Sequence, residues 1–164
     1  MDIEITPGDL TDLDSLAPLW MAMVEHHRTV VAGRVPVRPA PEAWERRRHE
    51  YVTWLRDGSG LLFLAHREGA ADVIGYAVCR LLPSGPTFDL GAVRGDVESL
   101  AVSPRARGAG VGTALLSAVR AELERRGCEH WSISVAADNT DAVRLYERVG
   151  FRPLVHMMHA PLTG

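Results

Sequence analysis

The chain has 164 residues, 46% of them hydrophobic and 24% charged, and a net charge of −3 with histidine neutral. That length suits one domain, residues 1–164, with a core of its own. The slight acidity excludes a generic nucleic-acid binder, which carries a basic excess. Apolar runs such as Leu61 to Ala65 are far too short to cross a bilayer, so no membrane partner is expected.

All 18 basic residues are arginine. With the many Ala, Gly and Pro residues, this reads as the codon bias of a GC-rich genome. Cys79 and Cys128 lie far apart and outside any C-x-x-C spacing. They read as reduced thiols of a cytoplasmic protein. The start M-D-I-E-I lacks a basic segment followed by an apolar run, so no secretory signal is expected.

In chain order, Ile3 and Ile5 alternate with charged residues as a short strand that Pro7-Gly8-Asp9 ends. Thr11 or Asp12 is placed to cap a first helix carrying Leu13, Leu16, Leu19, Trp20, Met23 and Val24, to about His27. Val30 to Pro41 has three prolines and a glycine and reads as a loop. A second helix starts at Pro41 or Glu42, carries Trp44, Arg47, Arg48, Tyr51 and Leu55, and stops at Asp57-Gly58. Strands follow at Leu61–His66 and Val73–Leu82, joined by a hairpin turn. A Gly/Pro-rich loop, Pro83–Gly91, leads to a fourth strand, Val93–Val102. Val111, Leu115, Val119 and Leu123 lie four apart on a third helix that Gly127 ends. Trp131, Ile133 and Val135 alternate as a fifth strand. Asp138 to Thr140 supplies a cap, and Ala142, Leu145, Tyr146 and Val149 mark a fourth helix closed by Gly150. Phe151–His159 reads as a last strand.

The chemistry concentrates in Val97–Leu116, V-E-S-L-A-V-S-P-R-A-R-G-A-G-V-G-T-A-L-L. A strand, a glycine-rich turn and a helix N-terminus hold pyrophosphate well, because orphan N–H groups and the helix dipole point at the anion. A P-loop is ruled out, since it needs Gly-Lys-Ser/Thr and the chain has no lysine. A dinucleotide fingerprint fits poorly, because Gly108, Gly110 and Gly112 are spaced two and two.

Arg107-Gly108-Ala109-Gly110-Val111-Gly112 matches R-x-x-G-x-G after an L-x-V-x-P strand end. Further on stands Asn139-x-x-Ala142-x-x-Leu145-Tyr146-Glu147-x-x-Gly150-Phe151. In these two blocks the chain resembles the GNAT superfamily of acyl-CoA-dependent N-acyltransferases. The element order βααβββαβαβ is similar too. The resemblance implies an α/β (α+β) GNAT fold, with a mixed, mostly antiparallel sheet of about six to seven strands flanked by four helices. It also implies acetyl-CoA as co-substrate, with no metal, and direct transfer to the primary amine of a small molecule. The pyrophosphate would lie on Arg107, Gly108, Ala109, Gly110, Val111, Gly112 and Thr113. The pantetheine amides would meet Leu100, Ala101 and Val102, where the fourth and fifth strands splay. Asn139 and Tyr146 would line the pantetheine pocket.

In this family the tyrosine of the L-Y-E block commonly protonates the leaving thiolate, which assigns Tyr146 as general acid; its position also fits the helix's core stripe. A carboxylate on the fourth strand commonly serves as base, which points to Glu98 first and Asp96 second. Both share the parity of Leu100 and Val102, so all four are expected on one face. Neither cysteine lies in a matching block, so no acyl-enzyme is expected.

Histidine spacing argues against a metal. His26 and His27 lie about 100° apart on a helix, and His156 and His159 face opposite sides of a strand. His26 or His27 could still face the acceptor pocket, which the first helix walls in this family. Between Arg28 and Arg48 stand six arginines and two glutamates. This basic rim disfavours polyamines and favours an acceptor with a carboxylate or phosphate. Arg46 to Arg48 read more simply as a solvated helix face. Competing functions are a protein or peptide N-acetyltransferase, an antibiotic-modifying acetyltransferase with an acidic cavity, and a non-catalytic acyl-CoA-binding regulator. A homodimer is common in the family.

Overall fold

A computed structural model describes residues 1–163. Five strands form one sheet in sequential order: β1 (Ile3–Gly8), β2 (Gly60–Arg67), β3 (Val73–Leu82), β4 (Arg94–Val102) and β5 (Trp131–Ile133). The first three pairings are antiparallel and the last is parallel. Helices α1 (Leu13–Val31) and α2 (Ala40–Arg56) cover one face. Helix α3 (Val111–Arg125) covers the other, with α4 (Thr140–Val149) packed beside it.

Two apolar clusters hold the layers together. Leu13, Leu16, Trp20, Trp44, Tyr51 and Trp54 of α1 and α2 bury against Leu62, Leu64, Tyr76 and Val78. On the opposite face Val111, Leu115, Val119 and Leu123 meet Ala77, Cys79 and Val97. The predicted four-residue stripe of α3 is thus its buried face. Gly75 lets α3 sit this close, since a Cβ there would lie 3.0 Å from both the Ala101 carbonyl oxygen and Val111 Cγ1.

The expected boundaries shift for local reasons. β1 runs on through Pro7 and Gly8. The cap before α1 is Asp9, whose carboxylate accepts from Thr11 N–H at 2.7 Å while Asp12 accepts from Asp9 N–H at 2.8 Å. This reciprocal box caps a short 3-10 turn, Leu10–Asp12, ahead of α1. α1 continues past His27 to Val31, where Ala32 and Gly33 turn left-handed and stop it.

The predicted last strand, Phe151–His159, does not form. Phe151 stacks on Trp131 with ring centroids 4.4 Å apart. Beyond it the described residues join no ladder. β5 has only three residues to pair with, Pro153 lacks a donor, and Arg152 turns back to the Glu147 and Phe151 carbonyls. The sheet therefore has five strands where about six to seven were expected. Met157 and Met158 are 95% and 91% exposed, despite their place in an alternating apolar pattern.

These placements make opposite predictions for two side chains. Leu115→Ala should cost about 2–5 kcal/mol in urea unfolding, because Leu115 is fully buried. Met158→Ala should stay within about 0.5 kcal/mol of the parent protein.

Candidate active site

The site begins with an irregularity in β4. Val78 pairs with Ser99 and Cys79 with Val97, so Glu98 has no partner and forms a bulge. The bulge reverses the pleat. Gly95 and Val97 face α3, while Ser99 and Ala101 face α1 and α2. This corrects the expectation that Asp96, Glu98, Leu100 and Val102 share one face. Leu100 and Val102 pack in the α3-side cluster. Glu98 reaches the α2 side, where Arg47 Nη1 lies 3.7 Å from its Oε2.

Below Glu98 is a buried polar floor. The Tyr51 hydroxyl donates to Ser99 Oγ at 2.5 Å and lies 3.1 Å from the Tyr76 hydroxyl. Burial pushes Tyr51 up to about 12 and Tyr76 well above the ordinary tyrosine value. Both hydroxyls therefore keep their protons at neutral pH. Arg47 lies over this floor, with its guanidinium carbon 4.9 Å from the Trp20 ring centre, 5.8 Å from Tyr51 and 5.6 Å from Trp54. It also pairs with Glu50 at 3.1 Å.

Arg47 was grouped in the sequence with Arg46 and Arg48 as a solvated face. The structure separates them. Arg46 and Arg48 point outward to Glu42 and Asp14, while the Arg47 side chain is only 22% exposed. The missed signal was the i, i+4, i+7 alignment of Arg47, Tyr51 and Trp54 on α2.

Burial raises the Glu98 carboxyl above the usual carboxylate range, and the negative charge of Asp96 adds to the shift. Arg47 and Arg80 oppose it without cancelling it. Asp96 accepts from Ser132 Oγ at 2.7 Å, and Ser132 in turn accepts from Arg94 at 2.9 Å. On α1, burial lowers His27, with His26 adding a repulsive charge.

β4 loses its neighbour at the bulge. The β4–β5 ladder contains only Gly95↔Trp131, Asp96↔Ser132 and Val97↔Ile133. Leu100, Ala101 and Val102 therefore have no strand beside them on that edge. The chain then passes a 3-10 turn, Pro104–Ala106, and reaches α3. The turn Arg107–Gly110 leads directly into α3, whose first N–H groups have no carbonyl within the helix to bond, and the first bond into α3 is Ala114 N–H to Gly110 O.

The three glycines of this turn have different duties. Gly108 and Gly110 adopt φ of 75° and 86°, the left-handed region, with open space where a Cβ would be. At Gly112 a Cβ would lie 2.9 Å from Leu145 Cδ2, so this glycine admits α4. Asn139 caps α4 by accepting from Ala142 N–H at 3.4 Å. An Arg34–Asp138 ion pair ties the loop after α1 to the loop before α4. On α4, burial pushes Tyr146 up to about 12, and its ring meets Phe151 edge-on.

Cys79 is buried and also raised to about 12, which leaves it a protonated thiol. No group of three or more metal-ligating side chains gathers among the described residues. Two surface hollows, one beside Gly8–Thr11 and one between α3, β5 and α4, touch neither Glu98 nor the open β4 edge.

A sheet that parts beside its fourth strand, with a glycine turn and a long helix following, defines a GNAT-type α/β fold. Residues 25–151 match the profile of the acetyltransferase (GNAT) family, and the chain belongs to that family. A mycothiol acetyltransferase from Saccharomonospora viridis is 33% identical over 95 residues, 58% of this chain but 30% of that protein's length. An N-alpha-acetyltransferase from Sulfurisphaera tokodaii is 31% identical over 121 residues, 70% of each chain. The crystal structure of a GCN5-related N-acetyltransferase from Ralstonia eutropha superposes with a TM-score of 0.75 at 25% identity, covering 99% of both chains.

The Glu98 environment has a consequence for stability. Its folded-state pKa is raised, so the folded protein binds the proton more tightly than the unfolded chain. Stability is therefore lost as pH rises through the carboxylate range. Glu98→Gln should melt at a higher temperature than the parent at pH 7, and the gap should close toward pH 4 in a calorimetric series.

Proposed function

We propose that this chain is an acetyl-CoA-dependent N-acetyltransferase that acts on the primary amine of a small molecule by direct transfer. One observation carries the reading. An unpaired strand edge at Leu100–Val102 runs into a glycine turn and the N-terminus of α3 at Arg107–Thr113. Such an edge can receive the pantetheine amides as an added strand. The turn and the α3 N-terminus suit the pyrophosphate.

In this reading the acceptor amine approaches from the Glu98 side. Glu98 takes a proton from the ammonium, directly or through water, with Asp96 as its neighbour. The neutral amine then attacks the thioester carbonyl, and a backbone N–H of Leu100–Val102 stabilises the oxyanion. Collapse breaks the carbon–sulfur bond. Tyr146, still protonated at neutral pH, gives its proton to the leaving thiolate, and the second proton that the attacking nitrogen loses as it becomes an amide passes through water to restore Tyr146. Asn139 shapes the pantetheine channel through the start of α4. A cytoplasmic location and a single domain belong to the same reading, with a homodimer compatible with it.

A second reading is acetylation of a peptide N-terminus. The Sulfurisphaera tokodaii relative, matched over 70% of its length, favours it. A thiol-release assay across small amines, amino acids, aminoglycosides and peptides separates the readings.

Coenzyme A should raise the melting temperature of the parent protein, and Gly110→Glu should abolish that rise. Tyr146→Phe should lower kcat by about 10²–10⁴-fold, with little change in coenzyme A affinity. Unchanged turnover in Tyr146→Phe would remove Tyr146 as the acid.

A further inference from the structure

Arg80 is the unexplained charge beside the site. It lies on β3, paired across the ladder with Asp96, the residue two before Glu98. Its guanidinium carbon sits 4.7 Å from the centre of the Trp54 ring, the same indole that Arg47 approaches. Its Nε is shut off from solvent and has no partner. Among the described residues it makes no side-chain hydrogen bond and no ion pair. Asp57 and Glu98 feel its field without coming within pairing distance.

The other two guanidiniums nearby are satisfied. Arg47 pairs with Glu50 and approaches Glu98, and Arg94 donates to Ser132. A guanidinium carries five donors in a planar fork, and leaving a shielded one unmatched is costly. The group that fits a planar fork is a carboxylate, held by two parallel hydrogen bonds. Trp20 Nε1, on α1 on the same side of the sheet, is buried and also without a partner, and Arg47 lies over its ring.

We infer that Arg80 receives the carboxylate of the acceptor, so that the substrate is a free amino acid whose amine is delivered to Glu98. The inference rests on the acetyltransferase reading and adds the acceptor's class to it. Adjacent strands lie about 5 Å apart and residues i and i+2 about 6–7 Å apart. That spacing suits an amine and a carboxylate joined by a few bonds. A peptide N-terminus has its carboxylate much further away, and an aminoglycoside has none.

The test uses the full chain saturated with coenzyme A. Tryptophan fluorescence is titrated with N-acetylated derivatives of the twenty amino acids and with their primary amides. At least one acid should bind tenfold or more tighter than its amide. Arg80→Gln should erase that preference while keeping the coenzyme A melting shift, and Arg80→Lys should restore part of it. In the thiol-release assay the same variant should raise KM for the preferred amino acid far more than it lowers kcat. A normal coenzyme A shift with no acid preference, or a preference that survives Arg80→Gln, overturns this inference alone. Absence of the coenzyme A shift in the parent protein overturns the acetyltransferase reading and this inference with it.

Discussion

The β4–β5 ladder stops after three residues, and the rest of the site depends on that interruption. A fully paired strand would leave no backbone free to meet a ligand. A wholly unpaired one would have no fixed position, because unsatisfied backbone groups are costly to bury. Here β4 is held on one side by β3 along its length. On the other side it is released from Glu98 onward. The gap is kept open from below by helix packing. Gly112 admits Leu145, so α4 lies against the start of α3. The stack of Trp131 on Phe151 anchors the start of β5.

The same stretch of strand separates two electrostatic environments. The bulge turns Glu98 toward α2, into a neighbourhood of arginines and aromatic rings. Leu100 and Val102 remain on the α3 side. A half-buried carboxyl and the apolar side chains of an open strand edge thus sit a few residues apart but face opposite sides of the sheet. Burial of Glu98 sacrifices some stability in exchange for a carboxyl that exchanges protons closer to neutrality. The Ser99–Tyr51–Tyr76 bonds keep the floor rigid beneath it.

Local signals carried much of this into the sequence. The α3 stripe, the Val73–Leu82 strand and the Gly150 cap follow from spacing and residue type alone. So did the glycine turn, because Gly108 and Gly110 occupy backbone angles other residues avoid. The parity of β4 was not legible, since a bulge is a property of pairing with β3 and leaves no mark in an alternating pattern. The last strand failed for the complementary reason. Phe151–His159 alternates like a strand, but a ladder needs a partner, and β5 offers three residues. Arg47 and Arg80 were hidden by their type, because a partly buried arginine and a solvated one look alike until the rings around them are placed.

The central claim is that one continuous stretch, from the open edge at Leu100 to the helix start at Thr113, receives coenzyme A. Amide hydrogen exchange followed by mass spectrometry, with and without coenzyme A, tests it most directly. The account predicts slowed exchange at Leu100–Val102 and Arg107–Thr113, with the tail after Arg152 unchanged. Protection elsewhere, such as the hollow formed by Gly8–Thr11, Leu55 and Gly60, with none in that stretch, would contradict it.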